Sequence, residues 1–190
     1  MPGWPDDDKE LVEMAKAGNV EAFGNLYERY APAIYRYLYA HLPDRLDAED
    51  LTGEVFLKTW RSLSGYRERG VPFLAFLFRI AHNTLIDHRR RALHTGQHSM
   101  ADLEEVLSDS NPGPADIIHA RLEHQELLQV LSRLQADYQT VLILRFLSEL
   151  TPEETARVMQ RSPGSVRVLQ HRALAALRKQ MEFVRSDNLP

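Results

Sequence analysis

The stretch TPEETARVMQRSPGSVRVLQHRALAALRK, residues 151–179, contains two helix starts in close succession and decides the fold of this chain. Thr151 and Ser162 are each followed by proline, and a hydroxyl cap before a first-turn proline favours the beginning of a helix. The first helix is then about two turns long, residues 160–162 form a tight corner, and the second helix continues through Arg178. These proportions predict a helix-turn-helix.

The second helix of this pair has two chemically different faces. Apolar residues at helical spacing predict the face that packs against a core: Val166, Leu169, Ala173, Leu174 and Leu177. The other face carries hydrogen-bond donors and cations, the groups that contact base edges and phosphates: Ser165, Arg167, Gln170, His171, Arg172 and Arg178. This pattern favours DNA binding in a major groove, and a helical hairpin with a solvated basic face is the alternative.

Length and composition limit the class of protein. A chain of 190 residues can form one domain of ordinary size or two small ones. It contains no cysteine, which excludes disulfides and thiolate zinc sites. His94 and His98 have a metal-like spacing, but no third ligand is near, so we expect no metal site and no cofactor.

No apolar run of the sequence approaches the length of a membrane-spanning helix. The longest, Val71–Phe78, has eight residues, and the N-terminal MPGWPDDDKE is acidic rather than signal-like. We therefore expect a cytoplasmic protein without membrane insertion, which the absence of cysteine also suits.

The net charge of −4 conceals an alternation along the chain. Residues 61–100 carry seven basic and two acidic side chains, and residues 138–190 carry eight basic and five acidic ones. The two remaining blocks, residues 1–60 and 101–137, have a net negative charge. Only the local field at a contact surface matters to a phosphate group. The two basic blocks therefore suggest two separate nucleic-acid contacts.

Four helices are predicted in the first half of the chain: Lys9–Ala17, Val20–Leu42, Asp44–Leu63 and Phe73–Arg91. Large side chains recur at helical spacing on the second of them and are interpreted as core: Phe23, Leu26, Tyr27, Tyr30, Ile34, Tyr35 and Leu38. Acidic side chains crowd the first half of the third helix: Asp47, Glu49, Asp50 and Glu54. These acids either stabilise the helix start through its dipole or form a docking face for a basic partner.

The fourth helix combines an aromatic beginning with an arginine-rich end. Its polar face carries Arg79, Asn83, Arg90 and Arg91, a combination that can hold a nucleic-acid backbone. The preceding residues 64–72, SGYRERGVP, must form a loop, because they include two glycines and a proline. Arginines near a C-terminus also stabilise any helix, so a purely structural role stays open.

Helical periodicity fails after this helix, and glycine, serine, asparagine and proline predict a linker. Two further amphipathic helices, Ala115–Leu134 and Tyr138–Leu147, should support the helix-turn-helix through a core of Leu122, Leu127, Val130, Leu131, Leu134, Val141, Leu142 and Phe146. We predict an all-α protein of two small helical domains, residues 9–93 and 115–185, joined by a flexible linker at 94–114.

Several strings together resemble the extracytoplasmic-function sigma factors of bacterial RNA polymerase, and the resemblance covers most of the chain. They are EAFGNLYERYAPAIYRYL (21–38), DAEDLTGEVFLKTWRSL (47–63), FLAFLFRIAHNTLIDHRRR (73–91) and the helix-turn-helix itself. The chain departs from the family at Phe76, where tryptophan is usual, and at Leu169 and Gln170, where many members have arginine and leucine.

The resemblance implies a role for each charged surface. The acidic helix with Asp47, Glu49, Asp50 and Glu54 would bind core RNA polymerase. The loop with Tyr66 and the helix with Arg79, Asn83, Arg90 and Arg91 would hold the melted downstream promoter element, the minus ten. The helix-turn-helix would recognise the upstream element, the minus thirty-five, and an anti-sigma factor is an expected partner.

The sequence thus favours a non-enzymatic polymerase subunit that directs promoter-specific initiation. The alternative is an ordinary helix-turn-helix regulator that binds a two-fold DNA site as a dimer. A helical interaction protein without DNA contacts is a third hypothesis.

Overall fold

The computed structural model describes residues 7–42, 44–67, 72–95 and 127–187, and within these ranges every regular element is a helix. The first group comprises α1 (Asp7–Lys16), α2 (Val20–Tyr39), α3 (Arg45–Ser62) and α4 (Phe73–Thr95), with a 3₁₀ turn at Leu63–Gly65. The second comprises α5 (residues 127–132), α6 (Ala136–Leu142), a π-helical turn (Ile143–Leu147), α7 (Pro152–Val158) and α8 (Pro163–Asp187). The prediction of an all-α protein with two helical domains is confirmed.

Short polar side chains fix the beginnings of the helices in the first group. The side chain of Asn19 accepts a hydrogen bond from the amide of Ala22 at 2.9 Å, and that of Asp44 accepts one from Leu46 at 2.8 Å. Each satisfies an amide that the first turn of a helix leaves without a partner. Gly18, at φ +93°, allows the chain to turn sharply between α1 and α2.

The large side chains of α2 form the centre of the first domain, as the sequence predicts. Leu26, Ile34 and Leu38 are fully buried, and aromatic rings on α2 pack edge-on against rings of α3 and α4. Tyr27 is the exception: its ring contacts Phe56 with centroids 4.7 Å apart, but much of the side chain is exposed. This helix therefore positions α3 and α4, which carry the candidate functional residues.

The acidic N-terminus has a structural role that the sequence did not reveal. The Asp8 carboxylate is buried and accepts hydrogen bonds from the Arg29 guanidinium and the Tyr30 hydroxyl, which ties α1 to α2. Burial, together with this carboxylate, raises the pKa of Tyr30 well above its usual range. Asp8 is thus a tether between helices.

Four details of the sequence-based prediction are wrong. Helix α4 continues past Arg91 to Thr95, so the first two residues of the predicted linker are helical. Phe146 was assigned to the core but is 53 % exposed, because the π-helical turn adds a residue per turn and rotates Ile143 and Leu144 inward instead. Leu174 is also exposed, and Tyr27 is only partly covered. Residues 96–126, which include most of the predicted linker and the core position Leu122, lie outside the described residues.

The two helical groups pack directly against each other, and their buried residues form one continuous hydrophobic cluster. Hydrogen bonds cross this boundary at the C-terminal end of α2. Gln139 donates through Nε2 to the carbonyl oxygen of Ala40 at 2.8 Å, and the Thr140 hydroxyl lies 3.1 Å from His41 Nε2. Within the first group, Arg89 of α4 donates through Nη2 to the carbonyl oxygen of His41 at 2.9 Å. The side chains of His41, Gln139 and Thr140 are buried.

The hydrogen bond of Nδ1 identifies one protonated nitrogen of His41. Nδ1 lies 2.8 Å from the carbonyl oxygen of Tyr37, which can only accept, so Nδ1 carries a proton. Nε2 lies 3.1 Å from the Thr140 hydroxyl, which can donate to a neutral imidazole. Burial lowers the pKa of His41 from 6.5 to about 3, with the bond to Tyr37 opposing and the charges of Arg89 and His82 adding to the shift. Burial also lowers the pKa of His82, while Asp137 opposes and Arg89 and Arg161 add to that shift.

These shifts predict that the folded chain loses stability in mild acid. Below about pH 6.5 the unfolded His41 takes up a proton, whereas the folded imidazole stays neutral down to about pH 3. From about pH 7.5 to about pH 5.5, His41 alone should lower the free energy of unfolding by about 1 kcal/mol, and His82 should act in the same direction. Urea unfolding followed by circular dichroism measures this change.

The matched variant is His41→Gln, which should remove that part of the pH dependence. An identical dependence on pH in native and His41→Gln protein would contradict the buried neutral state of His41.

Candidate nucleic-acid interface

The corner between α7 and α8 has the construction that the sequence predicts. Thr151 Oγ1 accepts from the Glu154 amide at 3.2 Å, and the Glu154 carboxylate accepts from the Thr151 amide at 2.7 Å, which completes a capping box. Ser162 Oγ accepts from the Ser165 amide at 3.2 Å and caps α8. Gln160, at φ +53°, occupies the left-handed position where helix-turn-helix corners often have glycine. The predicted helix-turn-helix is confirmed.

The faces of α8 are largely those predicted. Val166 and Ala173 are fully buried, and Leu169 and Leu177 pack against the core. The opposite side of the helix is exposed and includes most of the predicted DNA contacts: Ser165, Arg167, His171, Arg172 and Arg178. The second domain therefore presents a row of polar and cationic side chains to solvent.

Gln170 is placed differently from those residues. It is half-buried, and its Oε1 accepts from Arg145 Nε at 3.0 Å. Arg145 lies in the π-helical turn and also donates to the carbonyl oxygen of Leu150, so it braces α8 against the start of the helix-turn-helix. Arg167 also has a partner, the Glu153 carboxylate at 2.9 Å, but this ion pair is exposed and readily exchanged for a phosphate.

Helix α4 presents the predicted basic face of the first domain. Arg79, Asn83, Arg90 and Arg91 are all exposed. The Arg79 guanidinium lies 5.9 Å from the centre of the Phe76 ring, which gives it a fixed position over an aromatic face. This arrangement offers cations for phosphates and one amide side chain for a base edge.

Tyr66 does not lie on this open surface. It is only 7 % exposed, and its ring packs against Phe73 and Phe76 with centroid distances of 5.8 and 4.8 Å. The predicted loop around it includes residues 68–71, which lie outside the described residues. Tyr66 thus anchors the described end of that loop to α4, and its ring is covered.

The acidic residues of α3 lie next to the basic face of α4. Glu54 contacts Lys58 at 2.8 Å and Arg91 at 3.6 Å, and the hydrogen bond from Lys58 is the main cause of its lowered pKa. Asp47 lies 3.7 Å from His88 Nε2. The predicted polymerase surface and the predicted downstream DNA surface are therefore adjacent.

The other two acids of α3 point to solvent. Glu49 accepts from Arg45 at 2.8 Å, whereas Asp50 is exposed and takes no part in these ion pairs. Exposed Leu46 and Leu57 lie on the same helix. Asp50 is consequently the acid of α3 whose replacement disturbs the fewest contacts within the chain.

The described part of the chain contains no cluster of three histidine, cysteine or acidic side chains arranged to hold a metal ion. Among the same residues, no helix combines the length and hydropathy needed to span a bilayer.

Family models match both helical groups. The model described as Sigma-70 region 2 matches residues 26–95, which cover most of α2 to α4. The model described as Sigma-70, region 4 matches residues 124–177 and includes the helix-turn-helix.

Curated relatives are similar over nearly the whole chain. ECF RNA polymerase sigma factor SigD of Mycobacterium tuberculosis H37Rv is 34% identical over 90% of this chain and 82% of its own length. ECF RNA polymerase sigma factor BldN of Streptomyces coelicolor is 39% identical over 88% of this chain, which spans 63% of that longer relative. A solved structure of CnrH in complex with the cytosolic domain of CnrY has a TM-score of 0.71 and 25% identity, covering 93% of this chain and 98% of that one.

The comparisons lead to one assignment. The region 2 model matches before the region 4 model along the chain, and a relative is matched over most of its length. The chain belongs to the ECF sigma factors of RNA polymerase, and its function is that of a transcription initiation factor.

Proposed function

We propose that this chain binds core RNA polymerase and directs it to a two-part promoter, with one helical domain on each part. The observation that carries the proposal is the outer face of α8, where exposed polar and cationic side chains follow a capped helix-turn-helix corner. A second basic face, on α4, belongs to the other domain. The chain supplies no catalytic group, since the polymerase synthesises the RNA, and it acts in the cytoplasm, where polymerase and DNA are found.

The second domain binds the upstream element. In helix-turn-helix docking, the N-terminal part of the recognition helix meets base edges, whereas residues farther along meet the backbone. Ser165, Arg167 and His171 are therefore the candidates for base contacts, and Arg172 and Arg178 for phosphates. Gln170 acts through Arg145 to hold the helix in place, because its amide oxygen already accepts from that arginine.

The first domain binds the downstream element. Arg79, Arg90 and Arg91 are cations that can hold the backbone of a separated strand, and Asn83 can bond a base edge. The buried Tyr66 packs against Phe73 and Phe76 at the beginning of α4. This surface lies beside the acidic residues of α3, which face the polymerase.

The packed arrangement of the two domains must open on a promoter. Elements named minus ten and minus thirty-five lie about 25 base pairs apart, or roughly 85 Å along B-DNA. A domain of this size has a radius of gyration of about 12 Å, so packed neighbours cannot reach both elements together. The polar contact around His41 suits such separation, because its groups can bond water instead.

A protein inhibitor is the second proposed partner. The solved relative CnrH is in complex with the cytosolic domain of CnrY, and the matched chain of that structure resembles this chain over nearly its full length. An anti-sigma factor that contacts both domains would stabilise the packed state by binding it preferentially.

The direct test is transcription with purified components. Core polymerase alone should not initiate specifically, and addition of this chain should produce transcripts from discrete genomic promoters. Asp50→Lys should weaken binding to core about tenfold and reduce these transcripts at limiting concentration, since a charge is reversed on the docking face. Glu28→Lys, an exposed acid on α2, is the matched control and should leave both unchanged.

Binding of the free chain to a two-fold DNA site as a dimer, with no transcripts when core polymerase is present, would instead indicate an ordinary helix-turn-helix regulator. Full core affinity of a folded Asp50→Lys protein would remove α3 from the polymerase surface.

Asn83→Ala should slow promoter opening about tenfold, because one base-edge hydrogen bond to the melted strand is lost. Permanganate reactivity of unpaired thymines measures opening, and an artificially premelted promoter should partly restore it. Asn25→Ala, an exposed asparagine on α2, is the matched control. Normal opening by Asn83→Ala would show that this side chain does not contact the melted element.

A further inference from the structure

The recognition helix carries an exposed valine on the face opposite its core. Val168 is 53 % exposed, whereas Val166, two positions earlier, is fully buried. Two residues along an α-helix correspond to a rotation of about 200°. Val168 therefore points almost directly away from the second domain.

The surroundings of Val168 place it at the centre of the proposed DNA surface. Ser165 lies one turn before it and His171 and Arg172 one turn after it, and all three are exposed. The nearby polar side chains are engaged in contacts within the domain. Arg167 donates through Nη2 to Glu153 Oε1 at 2.9 Å, and Gln170 Oε1 accepts from Arg145 Nε at 3.0 Å. The methyl groups of Val168 are therefore exposed on the outer face of the helix, with polar side chains on either side.

Folding gives no reason for a valine at this position. Val168 lies outside the core cluster, and a β-branched residue is less favourable in a helix than alanine or a long polar residue. Single exposed apolar residues are common on protein surfaces, so exposure alone would mean little. What distinguishes Val168 is its place in the N-terminal half of a recognition helix, where side chains meet base edges.

The major groove displays one apolar group on its base edges, the C5-methyl group of thymine. Cytosine has hydrogen at that carbon, and the purines display hydrogen-bonding atoms there. We propose that Val168 is a specificity-determining residue that contacts the C5-methyl group of a thymine in the upstream element. This inference rests on the proposed function, in which α8 enters the major groove.

The experiment replaces thymine by uracil, which removes the methyl group and keeps every hydrogen-bonding atom. The preferred upstream element is first selected from a randomised library with holoenzyme made from core polymerase and the full chain. Each selected thymine is then replaced singly by uracil, and holoenzyme affinity is measured. At one position the native chain should bind the thymine duplex about fourfold more tightly, as expected for burial of one methyl group.

Val168→Ala should lose most of this discrimination while it binds the uracil duplex about as well as the native chain does. Arg178→Ala is the control: it should weaken both duplexes alike and keep their ratio, because it removes a phosphate contact. An absence of any methyl-sensitive position, or the same thymine-to-uracil ratio in native and Val168→Ala proteins, would overturn the inference.

Failure of the proposed function gives a different result. If α8 does not bind the upstream element, the library selection yields no sequence preference, and Arg178→Ala leaves affinity unchanged. A clear sequence preference without dependence on a thymine methyl group would leave α8 as the helix that recognises the upstream element, and it would overturn only the role of Val168.

Discussion

A shared apolar cluster and the hydrogen bonds between the C-terminal end of α2 and the middle of α6 hold the two halves of this protein together. The last carbonyl groups of a helix have no partners within it, and here the carbonyl oxygen of Ala40 accepts from Gln139 of the other half. The His41 side chain meets Thr140 of α6, while the carbonyl oxygen of His41 accepts from Arg89 of α4, within the first half. These polar groups lie beside the apolar cluster that the two halves share, and they are stable when paired and can be hydrated when the boundary opens.

This property matters because a sigma factor must contact two separated promoter elements with domains that are packed together in the free chain. In the packed arrangement the outer faces of α4 and α8 remain exposed, so neither surface has to be uncovered. What changes on opening is the distance between them. The capping box, the Ser162 cap and the Arg145 brace keep the geometry of the helix-turn-helix independent of that movement, since none of them involves the first domain.

The sequence predicted features that depend on neighbouring residues and missed those that depend on distant ones. The caps at Thr151 and Ser162 are local, and the core face of α2 follows from spacing alone. By contrast, the tether of Asp8 to α2 and the bond of Arg145 to Gln170 join residues far apart in the chain. Phe146 was misplaced because a π-helical turn changes the period on which the prediction rests. Tyr66 could be assigned to a base pocket or to a core, and only its contacts with Phe73 and Phe76 decide.

The distance between the two domains tests the account most directly. The chain has no cysteine, so cysteines introduced at the exposed positions Glu10 and Lys179 can carry a donor and an acceptor dye without competing thiols. Energy transfer should be high in the free chain and should fall when core polymerase and promoter DNA are added. Unchanged energy transfer in a complex that initiates transcription would contradict the separation of the domains on which this account depends.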